Sequence, residues 1–105
     1  MQGTKATNLG HKWQGLDAYQ FTCQKFLEAD GSVTLSLNEV DLIENAPTEQ
    51  KAKLALAQSM LEYAQDYYEE FPLWNMAPNR KSHLPYVFKA LMIEDSQKLA
   101  ASIRC

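Results

Sequence analysis

At 105 residues the chain has room for about one domain and none for a second. Its make-up, 46% hydrophobic, 10% aromatic and 22% charged with four glycines and four prolines, excludes global disorder. A net charge of −3 disfavours a surface that grips nucleic acid all round and leaves only a local basic patch for that purpose, so protein partners are favoured.

No apolar run approaches the roughly 20 residues that span a bilayer, and the start MQGTKATNLGHKWQG lacks the apolar stretch of a signal peptide. The expectation is a cytoplasmic protein with no membrane contact. Cys23 and Cys105 are the two cysteines, and they fit neither a disulfide framework nor a zinc site, since no CxxC pair is present. Reduced thiols are expected.

Residues 1–15 are polar and punctuated by glycine, with isolated Leu9 and Trp13, and read as a flexible N-terminal arm. Residues 16–105 then form a single α+β domain. From Tyr19 the pattern becomes a period of two, with Tyr19, Phe21 and Cys23 alternating with Gln20, Thr22 and Gln24, which predicts a half-buried strand to about Leu27. Asp30-Gly31 is a turn signal. Ser32 to Leu37 alternates again, with Val33, Leu35 and Leu37 on one face, so the two segments form a hairpin. A third strand over Val40 to Glu44 completes a meander with one apolar face.

Asn45-Ala46-Pro47 breaks that strand, and Thr48 is placed to cap a helix with Glu49 in its first turn. Ala52, Leu56, Met60, Ala64, Tyr67 and Phe71 recur every three or four residues up to Phe71-Pro72, where the helix ends. Such a helix, some 22 residues or roughly 33 Å, overhangs strands of roughly 17 to 20 Å. A second apolar line, Leu54, Leu61 and Tyr68, meets either the C-terminal helices or a partner. Turn formers fill the stretch to Ser82. Ser82 is expected to cap a helix with Pro85 in its first turn, running to about Ile93, and Asp95 a last short helix carrying Leu99 and Ile103. The fold class is therefore α+β: a three-stranded antiparallel meander packed on one long helix, with two short C-terminal helices at the overhang. Phe21, Val33, Leu35, Leu56, Met60 and Tyr67 belong to the expected core.

Glu62, Asp66, Glu69 and Glu70 share one side of the long helix, but the ExxH pair and matching carboxylates of a helical metal site are missing. They read as a solvated acidic face that favours a basic partner, with no metal and no cofactor. His11 and His83 have no nucleophile motif beside them, so no catalytic residue is assigned and the protein is expected not to be an enzyme. Asn79, Arg80, Lys81 and His83 gather donors just before a helix start, where anions are stabilised, and Trp74 adds an aromatic anchor. These five form the expected partner-binding patch.

The stretch 19–70, with Asp30-Gly31, Val33 and Thr48 followed by Ala52, resembles bacterial type II antitoxins of the HicB-like kind, departing from them at Lys51. That resemblance implies a truncated RNase H or dsRBD-like fold. The later string EYAQDYYEEFPLW…APNRKSHLPYVFKAL looks like a group of short bacterial antitoxin components, some under the prevent-host-death name. Both resemblances imply a non-enzymatic antitoxin that binds and neutralises a toxin, with operator DNA as a further ligand. The alternative is an RNA-binding domain of dsRBD-like type, because QKAKLALAQSML with Lys51 and Lys53 is similar to that fold's second helix. A homodimer or a partner complex is expected through the open sheet edge or the line Leu54, Leu61, Tyr68.

Overall fold

A computed structural model describes residues 19–72 and 81–105 of the chain. Three strands, β1 (Cys23–Leu27), β2 (Val33–Leu37) and β3 (Leu42–Ala46), form an antiparallel sheet in the order β1-β2-β3. The long helix α1 (Glu49–Glu69) follows, then a short 3-10 helix over Lys81–His83, α2 (Leu84–Ile93) and α3 (Ser96–Ser102). This is the α+β architecture expected from the residue pattern. The expected arm over residues 1–15 lies outside the described residues.

The hairpin is built by the Asp30-Gly31 turn. Asp30 Oδ1 accepts from the Ser32 amide (2.9 Å) and hydroxyl (2.6 Å), while Gly31 takes φ 89° and donates its amide to the Glu28 carbonyl. Only glycine enters that backbone region without strain, and it closes a three-residue hairpin loop. Cys23 then pairs with Leu37 and Leu27 with Val33, which sends Val33, Leu35 and Leu37 to one side. All three are buried.

The third strand starts two residues later than its alternation predicts. Val40 is buried in the turn that precedes it, and the ladder runs from Leu37 opposite Leu42 to Val33 opposite Ala46. The phase is the expected one, because Val40, Leu42, Glu44 and Ala46 share a side; the four-residue connection shifts the start. Glu44 reaches the helix side and accepts from the Ser59 hydroxyl at 2.5 Å.

Thr48 caps α1 as expected, its hydroxyl accepting from the Lys51 amide at 3.2 Å. Replacing it with Ala is expected to lower stability by about 1 kcal/mol, read as a lower urea midpoint at constant slope. An unchanged midpoint would show that this bond contributes nothing. Ala52, Leu56, Ala57, Met60, Ala64 and Tyr67 are the buried stripe, and α1 lies over β2 and β3. The distal half of β1 is therefore uncovered, and Leu27, opposite the buried Val33, is exposed. α1 ends at Glu69, two residues before its apolar line does, since Pro72 has no amide to donate and its ring would meet the carbonyl of Tyr68. Phe71 and Pro72 resume helical backbone after the Glu70 turn.

Two expectations fail at the C-terminal end. His83, not Ser82, is the cap residue of α2, and no side chain caps it; Ser82 is taken up by the 3-10 turn before Pro85. The cysteines are not reduced thiols: Cys23 and Cys105 form a disulfide across 82 positions of sequence. Asp95 does cap α3, accepting from the Gln97 and Lys98 amides. Beyond α3 the buried Ile103 leads into a parallel bridge between Arg104 and Thr22. There the Cys23 amide donates to the Arg104 carbonyl (2.7 Å) and the Arg104 amide to the Phe21 carbonyl (2.9 Å). The chain's end thus covers the start of the β1 edge. The sheet ladder pairs β3 with β2 alone, so its other edge is open among the described residues.

Candidate partner-binding surfaces

Of the five residues expected to bind a partner, Trp74, Asn79 and Arg80 lie outside the described residues, and Lys81 opens the 3-10 turn. His83 is turned inward. It is 5% exposed, its Nδ1 is 2.7 Å from the Tyr63 hydroxyl, and the two rings meet edge to face. Its ring therefore holds the start of α2 against α1 and does not face a ligand in solution. Tyr67 continues this aromatic contact, packing against Tyr63 and Phe71.

Glu62, Asp66, Glu69 and Glu70 are exposed along α1. Among the described residues no group of three or more His, Cys, Asp or Glu side chains is arranged to hold a metal ion, and no helix is long and apolar enough to cross a membrane. Lys51 is exposed, Lys53 half-buried, and Lys25 forms an ion pair with Glu49 at 2.9 Å between β1 and the start of α1. The hydrogen bond from Lys25, and then its charge, hold the Glu49 carboxyl below the usual carboxylate range. Whatever the pair adds to stability is present at neutral pH and is lost as the pH falls through that lowered value; solvent access to both side chains keeps it small.

The second apolar line leads to a groove. Leu54 and Leu61 are half-buried, whereas Tyr68 is 66% exposed. Leu61, Gln65 and Tyr68 form one wall of a cleft of about 460 Å³, and Leu91 and Glu94 of α2 form the other. Glu94 is held there by a left-handed backbone (φ 63°), with its amide donating to the Ala90 carbonyl and ending α2. The sequence places Leu91 in the helix that ends near Ile93 and gives Glu94 no role. What brings them to Leu61 is the packing of α2 on α1.

A second apolar surface lies on the open face of the sheet, where Phe26 and Ile43 are exposed beside a polar ladder. Asn45 Nδ2 donates to the hydroxyls of Thr34 and Ser32, and Thr34 Oγ1 donates to Glu28. On the other side of α2, Tyr86 packs against Tyr19 and Phe21. Partial burial, with the Glu39 carboxylate and then Tyr19 adding to it, pushes the Tyr86 phenol above its ordinary value.

No curated protein matches the chain. It is similar in structure to a protein from Syntrophomonas wolfei subsp. wolfei described as the antitoxin part of a candidate toxin/antitoxin system, at a TM-score of 0.78 and 32% identity. The superposition covers 86% of this chain and 64% of that one, so the chain spans somewhat less than two thirds of the length of its relative. A family model described as PHD-like, antitoxin of toxin-antitoxin, RelE / RelB, TA system, matches residues 6–104. With nearly the whole chain inside that match and the same fold in the S. wolfei protein, the chain belongs to the PHD-like antitoxin family.

Proposed function

We propose that this protein is the non-enzymatic antitoxin of a bacterial toxin-antitoxin pair, which binds and neutralises a protein toxin in the cytoplasm. The observation that carries this reading is the family match over residues 6–104, supported by the antitoxin fold of the S. wolfei relative. The same match favours it over the RNA-binding alternative. The finer HicB-like assignment draws on the meander that runs through the Asp30-Gly31 turn into the Thr48-capped helix. In this reading residues 1–15 are an arm on a single domain, Asn79, Arg80, Lys81 and Trp74 contact the partner, and the open β3 edge serves a homodimer. His83 contributes by holding the start of α2 against α1.

The test is co-expression with the product of the adjacent gene in a bacterial host. The neighbour alone is expected to arrest growth, and this chain to relieve the arrest and co-purify with it. A harmless neighbour, or an arrest that persists, overturns the reading. In this reading Arg80 and Lys81 serve the partner and not the fold, so changing both to Ala should leave the melting temperature nearly unchanged. It should weaken partner binding, with a smaller loss at high salt, where screening already weakens the contact.

A further inference from the structure

The cleft between α1 and α2 combines apolar side chains with a carboxylate, and further carboxylates lie beside it on α1. Leu61, Tyr68 and Leu91 supply its apolar lining, and Glu94 its charge. Gln65 lies on the α1 wall, and the exposed Glu62 and Glu69 flank it at three residues before and four after, the spacing of neighbours on one helix face. From Gln58 to Pro72 the sequence has no Lys, Arg or His. Lys89 is the one basic residue of α2, and it points elsewhere, donating to the Tyr19 carbonyl at 2.6 Å and lying 5.8 Å from the Phe21 ring centroid.

An exposed apolar strip under a negative rim selects its occupant by charge. A small apolar ligand would be poorly enclosed, because such sites bury about 70 to 90% of the ligand and Tyr68 stands largely in solvent. A second copy docked by two-fold symmetry would set Glu62, Glu69 and Glu94 against the same carboxylates. We propose that the groove docks a cationic amphipathic helix of the protein partner, its apolar side seated on Leu61, Tyr68 and Leu91 and its Lys or Arg side chains over Glu94, Glu62 and Glu69. The proposal rests on the reading that the chain binds a protein. Its physical basis is the helix-in-groove mode, in which apolar anchors spaced one turn apart provide affinity and rim charges set orientation.

The probe is a synthetic amphipathic Lys/Leu helix, titrated into the isotope-labelled full chain and followed by amide chemical shifts, with a Glu/Leu helix of the same pattern as control. The Lys/Leu helix is expected to shift Leu61, Gln65, Tyr68, Leu91 and Glu94, and to bind at least about tenfold tighter than the Glu/Leu helix, with the difference shrinking in salt. Tyr68→Arg, at an exposed position, should weaken it at least about tenfold, a loss of about 1.4 kcal/mol, and Phe26→Arg on the open sheet face should not. Equal binding of the two helices, shifts centred on the sheet face, or an inert Tyr68→Arg would overturn the proposal. So would deletion of residues 1–18 that itself shifts the groove signals and strengthens probe binding, which assigns the groove to the chain's own N-terminal segment. Concentration-dependent broadening of these signals that Tyr68→Arg removes would assign it to a second copy instead. If the wild-type chain neutralises no toxin yet the groove binds the probe, the antitoxin reading fails alone. If Tyr68→Arg neutralises the toxin as well as wild type does, the groove proposal fails alone.

Discussion

Reduction of the Cys23–Cys105 bond, or the change Cys105→Ser, is expected to lower the stability of the chain by up to about 4.5 kcal/mol, the chain-entropy value for a closed loop of this size. The bond joins the start of β1 to a point 82 positions later, so it restrains almost every described element in the unfolded state. It also reinforces a native contact. Arg104 exchanges backbone hydrogen bonds with Phe21 and Cys23, and Ile103 is buried immediately before it; without the bond this segment is held by those contacts alone. Urea unfolding with and without a thiol reductant checks the expectation, and Cys105→Ser should match the reduced wild type and be indifferent to reductant. Equal midpoints for oxidised and reduced wild-type protein, with thiol titration confirming that the bond had been present and was then broken, would refute it.

Leu56→Ala should destabilise the protein by about 2 to 5 kcal/mol. Leu56 is fully buried on the stripe of α1 that faces β2 and β3, where Leu35 is also fully buried. Its neighbours on the stripe include Ala52 and Ala57, whose short side chains cannot move into the vacated space, so the cavity term should be retained and not relaxed away. In a domain of this size the change should lower the melting temperature by at least about 8 °C. A loss under about 0.5 kcal/mol, the scale of an ordinary surface substitution, would place Leu56 outside the core.

Family membership does not by itself locate the binding surface. The α1–α2 groove, the open face of the sheet and the free β3 edge differ in chemistry: acidic and apolar, polar with isolated Phe26 and Ile43, and unpaired backbone. A cationic helix suits the first, and strand pairing the last. The two contacts are compatible, because β3 and the groove use different sides of α1.

Local physics determined most of the fold from the sequence alone. Period-two alternation identified the side of β2 that is buried, the Asp30-Gly31 pair its turn, Thr48 and Asp95 two helix starts, and the three-and-four spacing of Ala52, Leu56, Met60, Ala64 and Tyr67 the core stripe of α1. All six expected core residues are buried. Each of these features depends on neighbours a few residues apart, so each is written in the chain itself. Tertiary structure decided the remainder, because it depends on what lies opposite. His83 reads as a donor beside a basic loop until Tyr63, 20 positions earlier, is seen to hold its ring inside. Cys23 and Cys105 read as unrelated thiols until the chain's end returns to the β1 edge. Leu61 and Tyr68 were recognisable as an apolar line, but that Leu91 and Glu94 complete it as a groove follows only from the docking of α2 on α1, a contact that no sequence period encodes.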